Sequence, residues 1–373
     1  MNKDQGLGLT PGGKGEVAVN DGAEAFVEML NANGVDYIFL NPGTDTFPVQ
    51  EALSKFQSLG RRGPQIVLSL HESVAMAAAH GHFMVSGRPQ LVFVHVDMGT
   101  QNVGGALHSA QRGRIGVVLC AGRAPLTSEG EMKGGRSNWI HWVQEQTDQA
   151  GIVRGYVKWE YEIRRNENIH QVMQRAFQVA SSEPCGPVYL TVPRELLMER
   201  MDHMPVPGAD RHGAVAGPGA DPEAVARAAE MLVGAQSPLI LVGDSGRHPQ
   251  SVAPLVDLAE SLGAPVVSSN FRMNFPTVHP LYAGILPASY VGEADVILII
   301  DQDIPYLPAR TKPRPDARII HMDIDPLKAS IPLWLFPTDL VIHADSATAI
   351  PALGQALRGA LTPQRRAHFQ SRA

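Results

Sequence analysis

Cysteine is nearly missing from this chain: Cys120 and Cys185 are the whole complement. Two thiols cannot build a disulfide framework. Cys120 ends an apolar run and Cys185 precedes Gly-Pro, so reduced, buried thiols of a cytoplasmic protein are expected. Long apolar runs are missing too. None approaches the ~18 residues of a membrane span, and the Gly-rich, polar stretch Met1–Gly15 has no apolar core of a secretion signal. There is no basic stripe either: the net charge is −6, which disfavours nucleic acid and anionic membrane as partners. No metal-ligand spacing stands out, since His80 and His82 are two apart and do not share a helix face. What remains is the composition of a soluble globular protein, 44% hydrophobic and 18% charged over 373 residues, long enough for two domains.

Short apolar runs alternate with helical stretches: Tyr37–Leu40, Ile66–Leu70, Leu91–Val96, Val117–Ala121 and Val188–Val192. This pattern predicts an α/β fold, a mostly parallel sheet flanked by helices. Asn20-Asp21-Gly-Ala-Glu24 reads as a capped helix start. Between Leu196 and Ala220 Pro and Gly accumulate without periodicity, as in a linker. The alternation then restarts, with Asp221-Pro222 capping a helix over Ala224–Val233, a strand at Pro238–Val242, a helix over Val252–Leu262, and strands at Pro265–Ser268, Ala294–Ile300 and Ala317–Asp323. The expected organisation is a first domain over 16–195, a linker over 196–219, a second domain over 220–358 and a frayed polar tail over 359–373.

The most informative stretch runs from Ile66 to Asn102. An apolar run stops at His71-Glu72, an Ala-rich helical segment follows, then Gly87-Arg88-Pro89, a second apolar run and a Gly99-Thr100 turn. This places a carboxylate at the carboxyl end of a strand, where open α/β sheets put ligand sites. By itself, such an acid also suits the first turn of a helix, where the dipole favours negative charge.

His71-Glu72 with its Ala-rich helix and Gly-x-Pro strand resembles the pyrimidine-binding (Pyr) domain of thiamine-diphosphate enzymes, in the acetolactate synthase and benzoylformate decarboxylase group. Tyr37-Ile-Phe-Leu-Asn-Pro-Gly-Thr44 resembles that domain's first strand and Asn-Pro-Gly-Ser loop. His95-Val-Asp-Met-Gly99-Thr100-Gln-Asn102 resembles the decarboxylases' His-x-x-x-Gly-Thr-x-Asn segment. Val143-Gln144-Glu145 is similar to the Phe-Gln-Glu of acetolactate synthases, and Gly186-Pro187-Val-Tyr-Leu-Thr-Val-Pro193 to the strand that closes the domain. The second half resembles the family's Rossmann-like central domain, ending in Ile319-Ile-His-Met-Asp-Ile-Asp325-Pro326.

The resemblance implies thiamine diphosphate as cofactor, with Glu72 hydrogen-bonded to N1′ of its aminopyrimidine and His95 moving protons on substrate adducts. Pro42, Gly43, Gly99, Thr100 and Asn102 would join Glu72 around the cofactor, and Thr44 and Gln144 would line the substrate pocket. The family's third domain holds the diphosphate through Mg²⁺ and a Gly-Asp-Gly motif followed by Asn. Gly243-Asp244-Ser245 with Asn270 mimics it without the third glycine and reads as a strand-to-helix turn. The expected partner is therefore a separate subunit carrying Gly-Asp-Gly…Asn, together with self-association of this chain. Gly284-Ile-Leu-Pro-Ala-Ser stands where synthases have the His-Gly-Thr that accompanies FAD, which speaks against FAD. Arg310, Lys312 and Arg314 suit a solvated basic loop better than a nucleotide or coenzyme A site. The expected chemistry is a C–C bond made or broken next to the carbonyl of a small-molecule substrate. The alternative is a nucleotide-binding or regulatory module in which the Pyr-like domain serves only association.

Overall fold

The computed structural model describes residues 15–206, 213–268 and 272–371; the N-terminal stretch up to Lys14, and Asn270 with Phe271, lie outside them. The chain divides into two compact units, the first ending at Ala216 and the second beginning at Gly217.

In the first unit the strands are β1 (Gly15–Ala18), β2 (Tyr37–Leu40), β3 (Gln65–Leu68), β4 (Leu91–Val94), β5 (Val118–Arg123), β6 (Glu160–Glu162), β7 (Val188–Pro193) and β8 (His203–Val206). The helices are α1 (Gly22–Ala32), α2 (Phe47–Ser58), α3 (Glu72–Ser86), α4 (Val96–Asn102), α5 (Gly104–Arg112), α6 (Ile140–Val143), α7 (Ile169–Ser181) and α8 (Arg194–Met198). Six strands form one parallel sheet in the order β3-β2-β4-β5-β7-β6. Apolar side chains of α1, α2 and α7 cover one face, and those of α3 and α5 the other. Phe26 of α1 stacks on Phe93 of β4 with centroids 6.0 Å apart. Burying one such side chain stabilises by roughly 1.5–3 kcal/mol.

Local chemistry sets the helix ends. Asp21 accepts from Glu24 N at 2.9 Å while the Glu24 carboxylate accepts from Asn20 N at 3.1 Å, a reciprocal cap that starts α1 as expected. His71 caps α3, its Nδ1 accepting from Ser73 N at 3.1 Å. Gly87 ends α3 at φ +67°, the left-handed position a side chain resists.

In the second unit β9 (Pro238–Val242), β10 (Val266–Ser268), β11 (Val296–Ile300), β12 (Arg318–Asp323) and β13 (Leu340–His343) form a parallel sheet in the order β10-β9-β11-β12-β13. Around it lie α9 (Pro222–Gly234), α10 (Val252–Leu262), α11 (Ala288–Val291), α12 (Ser346–Ala360) and α13 (Pro363–Gln370). Asp221 caps α9, accepting from Glu223 N at 2.9 Å.

Three expectations change. Gly99-Thr100 is not a turn: β4 stops at Val94, and the pair lies within α4. The stretch 196–219 begins inside α8 and contains β8, whose Met204 and Val206 point into the first core as the strand pairs antiparallel with β1. Its alternation was hidden by prolines, one of which, Pro205, is tolerated on this edge ribbon. The tail is ordered as α13, because Thr362 caps it, Pro363 opens its first turn and Phe369 is fully buried in the second core.

Candidate active site

Strand order locates the crevice. From β2 the chain steps to β3 on one side, then returns across β2 to β4 and continues outward to β5. The carboxyl ends of β2 and β4 therefore splay connections in opposite directions, and a ligand crevice opens between them. The loops after β2, β3 and β4 carry Thr44, Glu72 and His95.

The loop after β2 is braced internally. Gly43 N donates to Thr46 Oγ1 at 3.1 Å, and Thr46 N donates to Gly43 O at 3.1 Å. Asn41 Nδ2 donates to Ser69 O at 3.0 Å, tying this loop to the one after β3. Pro42 and Thr44 are exposed at its tip.

Glu72 opens α3 and is only 7% exposed. Its Oε2 accepts from Asn102 Nδ2 at 3.0 Å, and His71 Nδ1 lies 3.9 Å from the same oxygen. Oε1 has no hydrogen-bond partner among the described residues. Asn102 is the last residue of α4 and His95 immediately precedes it. At 1.5 Å per residue, the helix separates the two by about 10 Å.

His95 is held from both ring nitrogens. Its Nδ1 meets the buried carboxylate of Asp45, and the Gln144 amide lies 3.1 Å from Nε2. The other Asp45 oxygen accepts from Val96 N at 3.3 Å. Val96 has φ +29°, a costly conformation for a β-branched residue. Asp45 thus braces a strained turn and orients the imidazole at once. The hydrogen bond from Asp45 raises the His95 pKa, opposed by burial and aided by the Asp45 charge. Two glycines leave room for this pair: a Cβ on Gly43 would overlap the His95 ring, and one on Gly122 would overlap the Asp45 carboxylate.

Beside them lies a cavity of about 10 Å³, lined by Thr44, Asp45, His95, Arg123, His141 and Arg194 among others. An open cleft of about 630 Å³ adjoins it at Pro42, Gly43, Thr44, Phe47, Gln50 and Arg194. Burial, then the charges of Arg194 and Arg136, lower the His141 pKa, so this ring is neutral at pH 7. Ser137 N donates to His141 Nδ1 at 3.1 Å, which puts the ring proton on Nε2.

The expected site residues thus divide. Pro42, Gly43, Thr44, His95 and Gln144 come together at the crevice, and Glu72 and Asn102 meet at its neighbour strand. The Gly99 and Thr100 side positions are spent on packing. A Cβ on Gly99 would press on Val94, while Thr100 Oγ1 donates to Val96 O at 2.7 Å and lies 2.7 Å from the buried Tyr189 hydroxyl. The sequence reading missed Asp45, His141 and Arg194. Asp45 follows the recognised loop directly and Arg194 follows the recognised closing strand, so adjacency was the available signal. Among the described residues, no group of three or more His, Cys, Asp or Glu could hold a metal ion, and no helix is long and apolar enough to cross a membrane.

Known proteins resemble this chain in sequence and in fold. Residues 20–152 match the thiamine pyrophosphate enzyme N-terminal TPP binding domain, and residues 225–353 match the central domain of the same enzymes. The chain is 27% identical over 360 residues to benzoylformate decarboxylase of Pseudomonas aeruginosa, covering 91% of this chain and 62% of the relative. It is 27% identical over 314 residues to the large subunit of acetolactate synthase isozyme 1 of Escherichia coli, covering 82% of this chain and 52% of that one. The fold matches the crystal structure of benzoylformate decarboxylase from Polynucleobacter necessarius with a TM-score of 0.75 at 23% identity, over 91% of this chain and 61% of that one. The chain therefore spans between about half and three-fifths of the length of these relatives. It carries the N-terminal TPP-binding domain and the central domain of the thiamine pyrophosphate enzymes, with acetolactate synthases and benzoylformate decarboxylases among its relatives.

Proposed function

We propose that this chain is the aminopyrimidine-activating subunit of a thiamine-diphosphate-dependent decarboxylase or carboligase, acting on a 2-oxo acid or related acyl compound. The observation that carries the reading is Glu72. It is a buried carboxylate with Oε2 pinned by Asn102 and Oε1 without a partner among the described residues. A largely buried carboxyl with one oxygen held and the other without a protein partner is positioned to hydrogen-bond an incoming group. The N1′ nitrogen of an aminopyrimidine accepts from a protonated carboxyl or, once protonated, donates to a carboxylate, so the residues present fit that half of the cofactor. Our reading gives the Mg²⁺ and diphosphate half to the family's Gly-Asp-Gly…Asn domain, carried on a separate subunit. Apolar Leu70 and Val74, exposed on either side of Glu72 in sequence, and Met98, exposed on α4, supply surface for such an association and for pairing of two copies.

When bound, thiamine diphosphate supplies the carbon that adds to the substrate carbonyl. This chain's part is proton handling. Asn102 fixes the Glu72 carboxyl, whose Oε1 would hold or release the proton shared with a bound aminopyrimidine. Asp45 keeps His95 charged further up the pH scale, so the ring donates a proton to oxygen developing negative charge in the crevice. Gln144 fixes the ring plane.

The test uses this chain reconstituted with a subunit carrying the diphosphate-binding half. Glu72→Gln keeps size and the acceptor for Asn102, so folding and assembly should persist. Cofactor C2–H/D exchange, followed by NMR, and turnover should both fall by about two to four orders of magnitude. His95→Ala should leave exchange intact while slowing turnover. Wild-type exchange in Glu72→Gln would end the assignment. Tight, Mg²⁺-dependent binding of thiamine diphosphate to this chain alone, seen by calorimetry, would end the two-subunit reading.

A further inference from the structure

We propose that Arg194 is a specificity-determining residue of the crevice, an anchor for a carboxylate carried by the substrate. The inference rests on reading this crevice as the active site.

Charge balance around the crevice singles out Arg194. Arg123 is paired with Glu162 at 3.2 Å, and Arg136 with Glu145 at 2.5 Å. Asp45 is engaged by His95. Glu195, next in sequence, turns away to accept from Leu126 N at 2.6 Å and Thr127 N at 3.0 Å. Arg194 has no carboxylate partner among the described residues and is only 7% exposed. A buried guanidinium without a counter-anion is a costly feature. It is retained where an anion arrives to complete it.

The guanidinium is also aimed. Nε donates to Gly134 O at 2.5 Å, and Nη2 donates to Gly135 O at 2.9 Å and approaches Ser137 Oγ at 3.4 Å. One edge of the planar fork is thus clamped by the loop, while the N–H groups of Nη1 have no acceptor among the described residues. Gly134 has φ +93°, and a Cβ there would stand 3.0 Å from Met198 Sδ and 3.4 Å from Arg194 Cγ. A glycine at this position lets the loop carbonyls turn onto the guanidinium. The side chain lines both the cavity it shares with His95 and Thr44 and the open cleft at Pro42–Thr44. A carboxylate there meets Arg194, the Thr44 hydroxyl and the His95 imidazolium, which places the adjoining carbonyl beside the proton donor. Arginine suits this role because its rigid fork matches a carboxylate geometrically.

The test measures binding of oxamate, an unreactive 2-oxo acid isostere, to the full chain by calorimetry at pH 7, against neutral oxamide at the same ionic strength. The wild type should bind oxamate at least tenfold more tightly than oxamide. Arg194→Gln, checked for folding by circular dichroism, should weaken oxamate by tenfold or more and leave oxamide unchanged. Arg194→Lys should recover part of the oxamate affinity, as a loss of loop structure would not. Equal affinity of the wild type for the two probes, or unchanged oxamate binding in a folded Arg194→Gln, overturns the proposal. If Arg194→Gln does not fold, the oxamate-to-oxamide ratio in wild type and Arg194→Lys decides alone. Failure of the Glu72 assignment is read by cofactor C2–H/D exchange and failure of this one by the oxamate-to-oxamide ratio, so the two give different results.

Discussion

Both units contain the same topological device, and they use it in opposite ways. In the second unit the chain steps from β9 to β10 on one side and returns across β9 to β11, so the crevice lies between the ends of β9 and β11. Buried charges there pair with one another. Arg247 Nη1, after β9, donates to Asp301 Oδ2, after β11, at 2.5 Å, both side chains being buried. A Cβ on Gly243 would strike Gln302 and Asp301. Lys328 is buried with its Nζ at 2.6 Å from Asp323 and 2.7 Å from Asp303. Across the corresponding crevice of the first unit, Asp45 and His95 also meet, but Nη1 of Arg194 and Oε1 of Glu72 have no protein hydrogen-bond partner among the described residues. One fold has thus produced a self-neutralised crevice and a chemically open one. Topology tells where a site can be; whether the charges there are already spent tells whether it is one.

Breaking the self-neutralised crevice should give the largest effect. Asp301→Ala takes from the buried Arg247 its carboxylate partner at 2.5 Å, while Asp345 stands 3.7 Å away. Stranding one member of a buried pair costs about 3–5 kcal/mol. Hydrogen exchange in β9 and β11 during urea unfolding should register that loss in the second unit alone. The double variant Arg247→Met, Asp301→Leu should recover most of it, since two apolar groups need no partner. A loss under about 1 kcal/mol for Asp301→Ala would mean that this crevice is open after all, and FAD uptake by the wild type would say the same.

A smaller effect is expected from filling the space that lets the open crevice exist. In Gly122→Ala the new methyl overlaps the Asp45 carboxylate, an overpacking that costs about 1–3 kcal/mol. The diagnostic is electrostatic: with Asp45 displaced, the His95 titration followed by NMR should move down toward that of an ordinary histidine. Gly105→Ala, with nothing within 4 Å of its added methyl, is the control and should be neutral or stabilising. An unmoved His95 titration in a destabilised Gly122→Ala would separate packing from the proton chemistry.

The sequence disclosed the layers of the fold more readily than the side-chain supports around the crevice. Strands β2 and β9 stand where the apolar runs placed them, because a buried parallel strand is apolar on both faces and reads plainly, and helix α10 stands where its own pattern placed it. Glu72 and His95 were legible through segments whose order matches a known family. Asp45 was not, since an acid after a Pro-Gly turn has no pattern of its own; only the return of the chain after β4 brings His95 to it, fifty residues later. Arg194 was hidden similarly, being held by carbonyls of a loop sixty residues earlier. β8 and α13 were missed for a different reason. Their burial depends on one or two side chains, Met204 and Val206 or Phe369, inside polar or proline-rich surroundings that masked the period.

The smallest effect is also the most selective, and it concerns pH. Asp45 raises the folded-state pKa of His95 through its hydrogen bond. For a histidine with a raised folded pKa, the stabilisation is fully present below the unfolded value near pH 6.5 and is lost as pH rises through the folded value. Asp45→Asn removes the charge while keeping an oxygen for Val96 N. It should therefore cost about 1–2 kcal/mol near pH 5.5, the usual worth of a charge-assisted hydrogen bond. The gap to wild type should shrink on the alkaline side of the His95 titration, leaving only what the neutral bonds contribute. His95→Gln should abolish the pH dependence of that gap, because no imidazole remains for Asp45 to charge. In the self-neutralised crevice, Arg247 stays protonated throughout this range, so Asp301→Asn should show no such window between pH 5.5 and 9. Thermal unfolding of the four proteins across that range makes the comparison, and a pH-independent gap for Asp45→Asn would remove Asp45 as the group that keeps His95 charged.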